Sequence, residues 1–136
     1  MNEAEPKRQI NKKVLVVDDE IPLLKVLIDK FTHEGFTTLE AKDGAEGLKV
    51  ALSERPDVIL LDLVMPEMTG LEVLKKLRGT DEWGKHVPII IFTNLTGNDR
   101  LMHEISQHEA TDYIVKSNWK MDDVVKKVKG FLGISY

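Results

Sequence analysis

The sequence contains no cysteine, which excludes a disulfide-stapled scaffold and thiolate-bound zinc or iron–sulfur centres. That absence suits a reducing compartment, and the expected localisation is cytoplasmic. Long hydrophobic runs are missing too. Apolar stretches such as 58–61 and 89–92 are four residues long, far short of the roughly 20 a membrane span needs. Residues 1–13 carry charges of both signs and lack the apolar core of a signal peptide. Neither sign of charge dominates: 19 Lys and Arg stand against 23 Asp and Glu, a net charge of −4, so no basic footprint invites nucleic acid. No Gly-x-Gly-x-x-Gly follows an apolar run, which disfavours a dinucleotide enzyme. What is present, 136 residues of which 42% are hydrophobic and 31% charged, fits a single domain with a real core.

Residues 1–12 are polar, contain Pro6 and follow neither periodicity; they read as a mobile leader, and 134–136 as a short tail. Between them, 13–133 form the expected domain. Val14-Leu15-Val16-Val17 is a β-branched run stopping at Asp18-Asp19, the pattern of a strand buried on both faces. Pro22 opens a helix with Leu24, Leu27, Ile28 and Phe31 on one stripe, and Gly35 ends it. The alternation then repeats. Residues 36–41 read as a strand, and Asp43-Gly44 leads into a helix facing inward with Leu48, Ala51 and Leu52. Residues 58–62 read as a third strand, followed by a loop and a helix with Leu71, Leu74 and Leu77 inward. A strand over 87–93, a helix over 98–108 and a strand over 112–116 come next. The last helix places Met121, Val124, Val125, Val128 and Leu132 on one face. Five strands alternating with five helices predict an α/β fold, a doubly wound parallel sheet covered on both sides. Ligands in such sheets sit beyond the carboxyl ends of the strands, where strand order reverses.

The strand ends carry Asp18, Asp19 and Glu20 after the first strand, Asp62 after the third, Thr93 at the fourth and Lys116 at the fifth. Helix capping accounts for Asp18–Glu20 taken alone, and propensity accounts for Thr93. Asp62 is different, because a carboxylate after four apolar residues is costly to bury without a partner. Carboxylates converging at about 5 Å repel by about 3 kcal/mol per pair at an effective dielectric near 20. A divalent cation removes that repulsion, and all-oxygen ligands point to Mg²⁺ or Mn²⁺. One lysine could pair with one carboxylate but cannot balance three. A hydroxyl, an ammonium, a carboxylate and a metal at adjacent strand ends suit a transferring phosphoryl group, with Asp62 as the nucleophile.

The pieces Val17-Asp18-Asp19-Glu20, Leu60-Leu61-Asp62-Leu63-Val64-Met65-Pro66, Thr69-Gly70, Thr93 and Asp112-Tyr113-Ile114-Val115-Lys116 occur in that order at strand ends. In this the chain from Lys13 to Leu132 resembles the receiver domain of bacterial two-component response regulators, of the stand-alone, chemotaxis-regulator type. The resemblance implies a flavodoxin-like strand order, 2-1-3-4-5. It implies that Asp62 accepts a phosphoryl group from a phosphohistidine donor, a sensor histidine kinase or histidine phosphotransfer protein. Asp19 and Asp62 would bind Mg²⁺ directly with the backbone carbonyl of Val64, and Asp18 mainly through a coordinated water. Thr93 and Lys116 would contact the phosphoryl oxygens, and Tyr113 would swing between outward and inward positions. Val64, Asn94 and Leu95 would tune access of water to the acyl phosphate. Two positions depart from the family pattern: Ser117 stands where proline usually follows the lysine, and Asn94 where a small residue usually follows the threonine. Without a proline, the Lys116–Ser117 bond is expected to be trans.

The expected function is a phosphorylation-controlled switch in a phosphorelay or two-component system, with slow self-dephosphorylation as its only turnover. Its protein-binding face would be built by the fourth helix, fifth strand and fifth helix. With no output domain expected, signalling passes through a downstream protein target, without nucleic acid or membrane, as a monomer or weak dimer. Two alternatives stay open. One is a docking module of the same fold that works without phosphorylation. The other is an aspartyl-phosphate phosphohydrolase, which in its haloacid-dehalogenase-like form wants a second Asp where Val64 stands. His33, His86, His103 and His108 lack metal-ligand spacing and read as surface or packing residues. Trp83 is expected to cover the bottom of the sheet, Trp119 to lie close to Lys116, and Lys120, Lys126, Lys127 and Lys129 to form a solvated helix face.

Overall fold

Alternate residues of a strand point to opposite faces, and the apolar runs of this chain use both. The computed structural model of the protein describes residues 9–95 and 99–134; most of the expected leader and the end of the expected tail lie outside them. The elements in chain order are β1 (Lys13–Val17), α1 (Ile21–His33), β2 (Thr37–Ala41), α2 (Gly44–Glu54), β3 (Val58–Leu61), α3 (Gly70–Arg78), α4 (Glu82–His86), β4 (Ile89–Thr93), α5 (Asp99–Gln107), β5 (Asp112–Val115), a 3-10 turn (Lys116–Asn118) and α6 (Met121–Phe131). The five strands are parallel in the order β2-β1-β3-β4-β5, as expected. No helix among the described residues is long and apolar enough to cross a membrane.

Two cores result from the strand alternation. Leu15, Val17, Ile59, Leu61, Ile89 and Ile91 face one side and pack with Ala51, Val73, Leu74, Leu77 and Ile105 from α2, α3 and α5. Val14, Val16, Val58, Leu60, Ile90, Phe92 and Ile114 face the other, against Leu24, Leu27 and Phe31 of α1 and Val124, Val125 and Val128 of α6. Ile10 and Ile134 also lean on this second core, and the Ile10 N–H donates to the Gly35 carbonyl at 2.8 Å.

Three local readings of the sequence need correction. A sixth helix, α4, joins the five longer ones. At five residues it is too short to show a periodicity, although Asp81 caps it by accepting from the Gly84 N–H at 2.9 Å. It carries Trp83 to the bottom of the sheet as expected, where the indole N–H donates to the Pro56 carbonyl at 3.2 Å and Arg55 lies 5.2 Å over the ring. Leu52 faces solvent, 41% exposed, because Gly47 and Ala51 already fill the contact between α2 and the sheet. A Cβ on Gly47 would lie 2.7 Å from Val17. Lys129, expected on a solvated face, is buried and reaches Glu34 at the end of α1 with an N···O distance of 3.0 Å. Lys30 joins the same group, 3.6 Å from Glu34 and 2.6 Å from Asp122.

A buried pair of this kind costs most when only one partner is removed. Lys129→Met should destabilise the fold by about 1–3 kcal/mol, since Lys30 still faces Glu34 at 3.6 Å but the direct partner is gone, whereas Glu34→Leu with Lys129→Met should lie closer to wild type. Urea unfolding of the two variants checks the order, and a double variant weaker than the single would show that the pair itself stabilises.

Candidate functional site

Order reverses between β1 and β3, the two strands that carry the site's central carboxylates. Asp18 follows β1, and its N–H extends the ladder by donating to the Ala41 carbonyl at 3.0 Å. Asp62 follows β3 and donates in the same way to the Val17 carbonyl at 3.0 Å. Both are buried, as is Thr93 at the end of β4. Lys116 follows β5 on the far side. Its Nζ crosses to the carboxylates and lies 2.7 Å from Asp18 Oδ2, 3.2 Å from Glu20 Oε1 and 3.3 Å from Asp62 Oδ2.

The loop bearing Asp62 is pinned from below. Thr69 caps α3 in a reciprocal capping box with Glu72, and the Gly70 N–H donates to the Leu63 carbonyl at 2.9 Å. A Cβ at position 70 would fall 2.0 Å from the Asp62 carbonyl oxygen, so only glycine lets α3 start this close. That contact explains Thr69-Gly70 in physical terms: the pair fixes the backbone on which Asp62 sits. Asp62 Oδ1 in turn accepts from the Val64 N–H at 3.4 Å.

Asp18, Glu20 and Asp62 each offer a carboxylate oxygen within 4.8 Å of the others. Three carboxylates against one ammonium leave two negative charges uncompensated inside the group. Asp18 Oδ2 is buried and, although in ion-pair contact with Lys116, accepts no hydrogen bond of good direction. Burial raises the Asp18 carboxyl above the usual carboxylate range, and the Lys116 ammonium and the Glu20 N–H offset this only in part. Burial alone would depress Lys116, but Asp18, Asp62 and Glu20 outweigh it and hold the ammonium above its ordinary value. Three converging carboxylates that share one ammonium, all hard oxygen donors with negative charge left over, fit a small divalent cation.

Asp19, expected as a direct metal ligand, is exposed and is not among these three converging carboxylates, whereas Glu20 is. The sequence shows Glu20 only as a capping candidate, and its reach to a lysine 96 positions away left no local signal. Thr93 Oγ1 accepts from the Leu95 N–H at 3.5 Å. Leu95 also accepts, through its carbonyl, a hydrogen bond from the hydroxyl of half-buried Tyr113. Burial, and then the nearby Asp62 charge, push the Tyr113 phenol upward. Val64, Asn94 and Leu95 are exposed at the mouth. The Lys116–Ser117 bond is trans, as expected, like every peptide bond among the described residues. The chain turns through the 3-10 segment to reach Trp119, whose ring lies 5.1 Å from Lys127 Nζ.

Residues 14–129 match the sequence model of the response regulator receiver domain. The chain belongs to that family. The receiver domain is 32% identical over 123 residues to sporulation initiation phosphotransferase F of Bacillus subtilis, covering 90% of this chain and 95% of that one. Its fold is similar to chemotaxis protein CheY4 of Vibrio cholerae, at a TM-score of 0.80 and 32% identity over 88% of this chain and 98% of that one. It is also similar to a chain in the CheX–CheY–BeF3–Mg²⁺ complex of Borrelia burgdorferi, at a TM-score of 0.78 and 29% identity over 90% of each chain. The receiver domain spans about half the length of several other curated relatives that it matches.

Gly70→Ala tests the clamp beneath Asp62. The added methyl must push the Asp62 loop or α3 aside, at a cost of about 1–3 kcal/mol. Urea denaturation should show the loss, and an unchanged midpoint would mean that the loop yields freely.

Proposed function

We propose that this receiver domain is a phosphorylation switch in which Asp62 accepts a phosphoryl group from a phosphohistidine donor, with Mg²⁺ as cofactor. The observation that carries the reading is the site's charge geometry: a buried Asp62 beside the strand-order reversal, 3.3 Å from the Lys116 ammonium and within reach of further carboxylates. A second reading, docking without phosphorylation, leaves that concentration of buried charge without a purpose. In the transfer, a carboxylate oxygen of Asp62 forms the O–P bond as the N–P bond of the donor breaks and the imidazole leaves with the electron pair. When bound, the cation neutralises charge on the transferring group. Asp18, Asp19, Asp62 and the Val64 carbonyl are the proposed ligand set. Lys116 and the Thr93 hydroxyl bond the phosphoryl oxygens once these are in place.

The energetics suffice for a switch. Moving an equilibrium from 1:99 to 99:1 takes about 5.5 kcal/mol, and two charge-assisted hydrogen bonds made only in the phosphorylated state supply roughly 3–6 kcal/mol. As the Thr93 hydroxyl turns to donate to the phosphoryl group it moves the oxygen that accepts from the Leu95 N–H, and Leu95 is the residue whose carbonyl holds the Tyr113 hydroxyl. The signal thereby reaches the face formed by α5, β5 and α6, which we assign to a downstream protein target. Domain limits of 13–133, a cytoplasmic location and a monomer or weak dimer complete the proposal.

Two outcomes test it. Asp62→Asn should fold and gain no phosphoryl mass from acetyl phosphate and Mg²⁺, while wild type gains one; equal gains by both proteins would remove Asp62 from the role. The acyl phosphate should also be long-lived, because Val64 and Leu95 at the mouth offer no side-chain hydrogen bond to hold an attacking water. Val64→Asn with Leu95→Glu should shorten its lifetime severalfold, read by loss of phosphoryl mass over time at matched Mg²⁺. A lifetime equal to wild type would mean that apolar shielding is not the cause.

A further inference from the structure

Glu20 occupies the N-cap position of α1, where an acidic side chain ordinarily accepts from the free N–H groups of the first turn. It makes no such bond. Its carboxylate turns instead to Lys116 Nζ at 3.2 Å. The Glu20 side chain is 52% exposed and that of Lys116 only 6%, so Glu20 covers the ammonium from the solvent side. The same carboxylate lies within 4.8 Å of oxygens of Asp18 and Asp62. A phosphoryl group on Asp62 needs that ammonium and brings its own negative oxygens into the space beside Glu20. Glu20 opposes the phosphorylated state twice, by competing for Lys116 and by like-charge repulsion.

We propose that Glu20 is a resting-state latch on Lys116, a positioning residue that holds the ammonium until the phosphoryl group takes it over. The inference rests on the phosphoacceptor reading above. It differs from a role as metal ligand, since a latch slows the limiting step where a ligand would assist it.

Two measurements test the latch. In the first, acetyl phosphate acceptance is followed by intact mass across a Mg²⁺ titration. Glu20→Gln should raise the limiting rate at saturating Mg²⁺ roughly threefold or more, while the half-saturating Mg²⁺ also rises because a negative charge is gone. Glu20→Asp keeps the charge but shortens the reach by one methylene, and it should also be faster than wild type. Limiting rates at or below wild type for both variants would overturn the latch. The second measurement needs no phosphoryl transfer. Urea unfolding of wild type, Glu20→Gln, Lys116→Met and the double variant in chelator should show that Glu20→Gln destabilises only when Lys116 is present. Zero coupling would overturn the latch as well. A wild type that accepts no phosphoryl group refutes the phosphoacceptor reading, and the unfolding cycle then decides the latch alone. If Lys116→Met does not fold, the two Glu20 variants decide it through the limiting rate.

Discussion

Lys116 neutralises what the fold would otherwise be unable to hold. A parallel sheet whose order reverses beside β1 brings the ends of β1 and β3 together, and both ends carry carboxylates. Their repulsion in a buried crevice would favour an open or protonated site. One ammonium, delivered from the far strand β5, lies within 3.3 Å of three of these groups. It draws them together, yet one positive charge faces three carboxylates. That imbalance is what the proposed cation would offset.

The rest of the molecule places those side chains. β3 and β4 are buried along their whole length, which fixes where Asp62 and Thr93 emerge. The helices on each face lock the register through two separate cores, and one buried ion pair ties α1 to α6. Gly70 brings α3 against the Asp62 backbone with no room for a side chain. The proposed transfer requires this rigidity, since charge stabilisation of a transferring group works only when the donors are already in position.

Much of this was legible in the sequence because burial on both faces writes itself as unbroken apolar runs. β1, β3 and β4 read directly, and Asp18, Asp62, Thr93 and Lys116 could be located by the run each one ends. Features set by tertiary contact were less visible. Leu52 looks inward by helical spacing, but the face it would fill is taken by Gly47 and Ala51. Lys129 looks like one more solvated lysine until α1 supplies Glu34. α4 shows only its cap, and Glu20 acquires its partner from the other end of the chain. In each case the deciding atom belongs to another element, where a local pattern carries no information.

In the proposed switch, the path from Asp62 to the outer face is short. Leu95 donates its N–H to Thr93 and accepts at its carbonyl from Tyr113. The two bonds are separated by a single pair of backbone torsions, which are the soft degrees of freedom of a chain with planar peptides. A change at Thr93 therefore need not travel through the packed core, where close packing resists small displacements. It can pass along an exposed loop. The neighbouring Lys116 is held by the 3-10 turn and by Phe92, whose ring lies 5.8 Å from its Nζ. A site whose anion partner is fixed on β5 and whose hydroxyl partner is tied to a yielding loop divides the work: the ammonium supplies affinity for the phosphoryl group, and the hydroxyl reports its arrival.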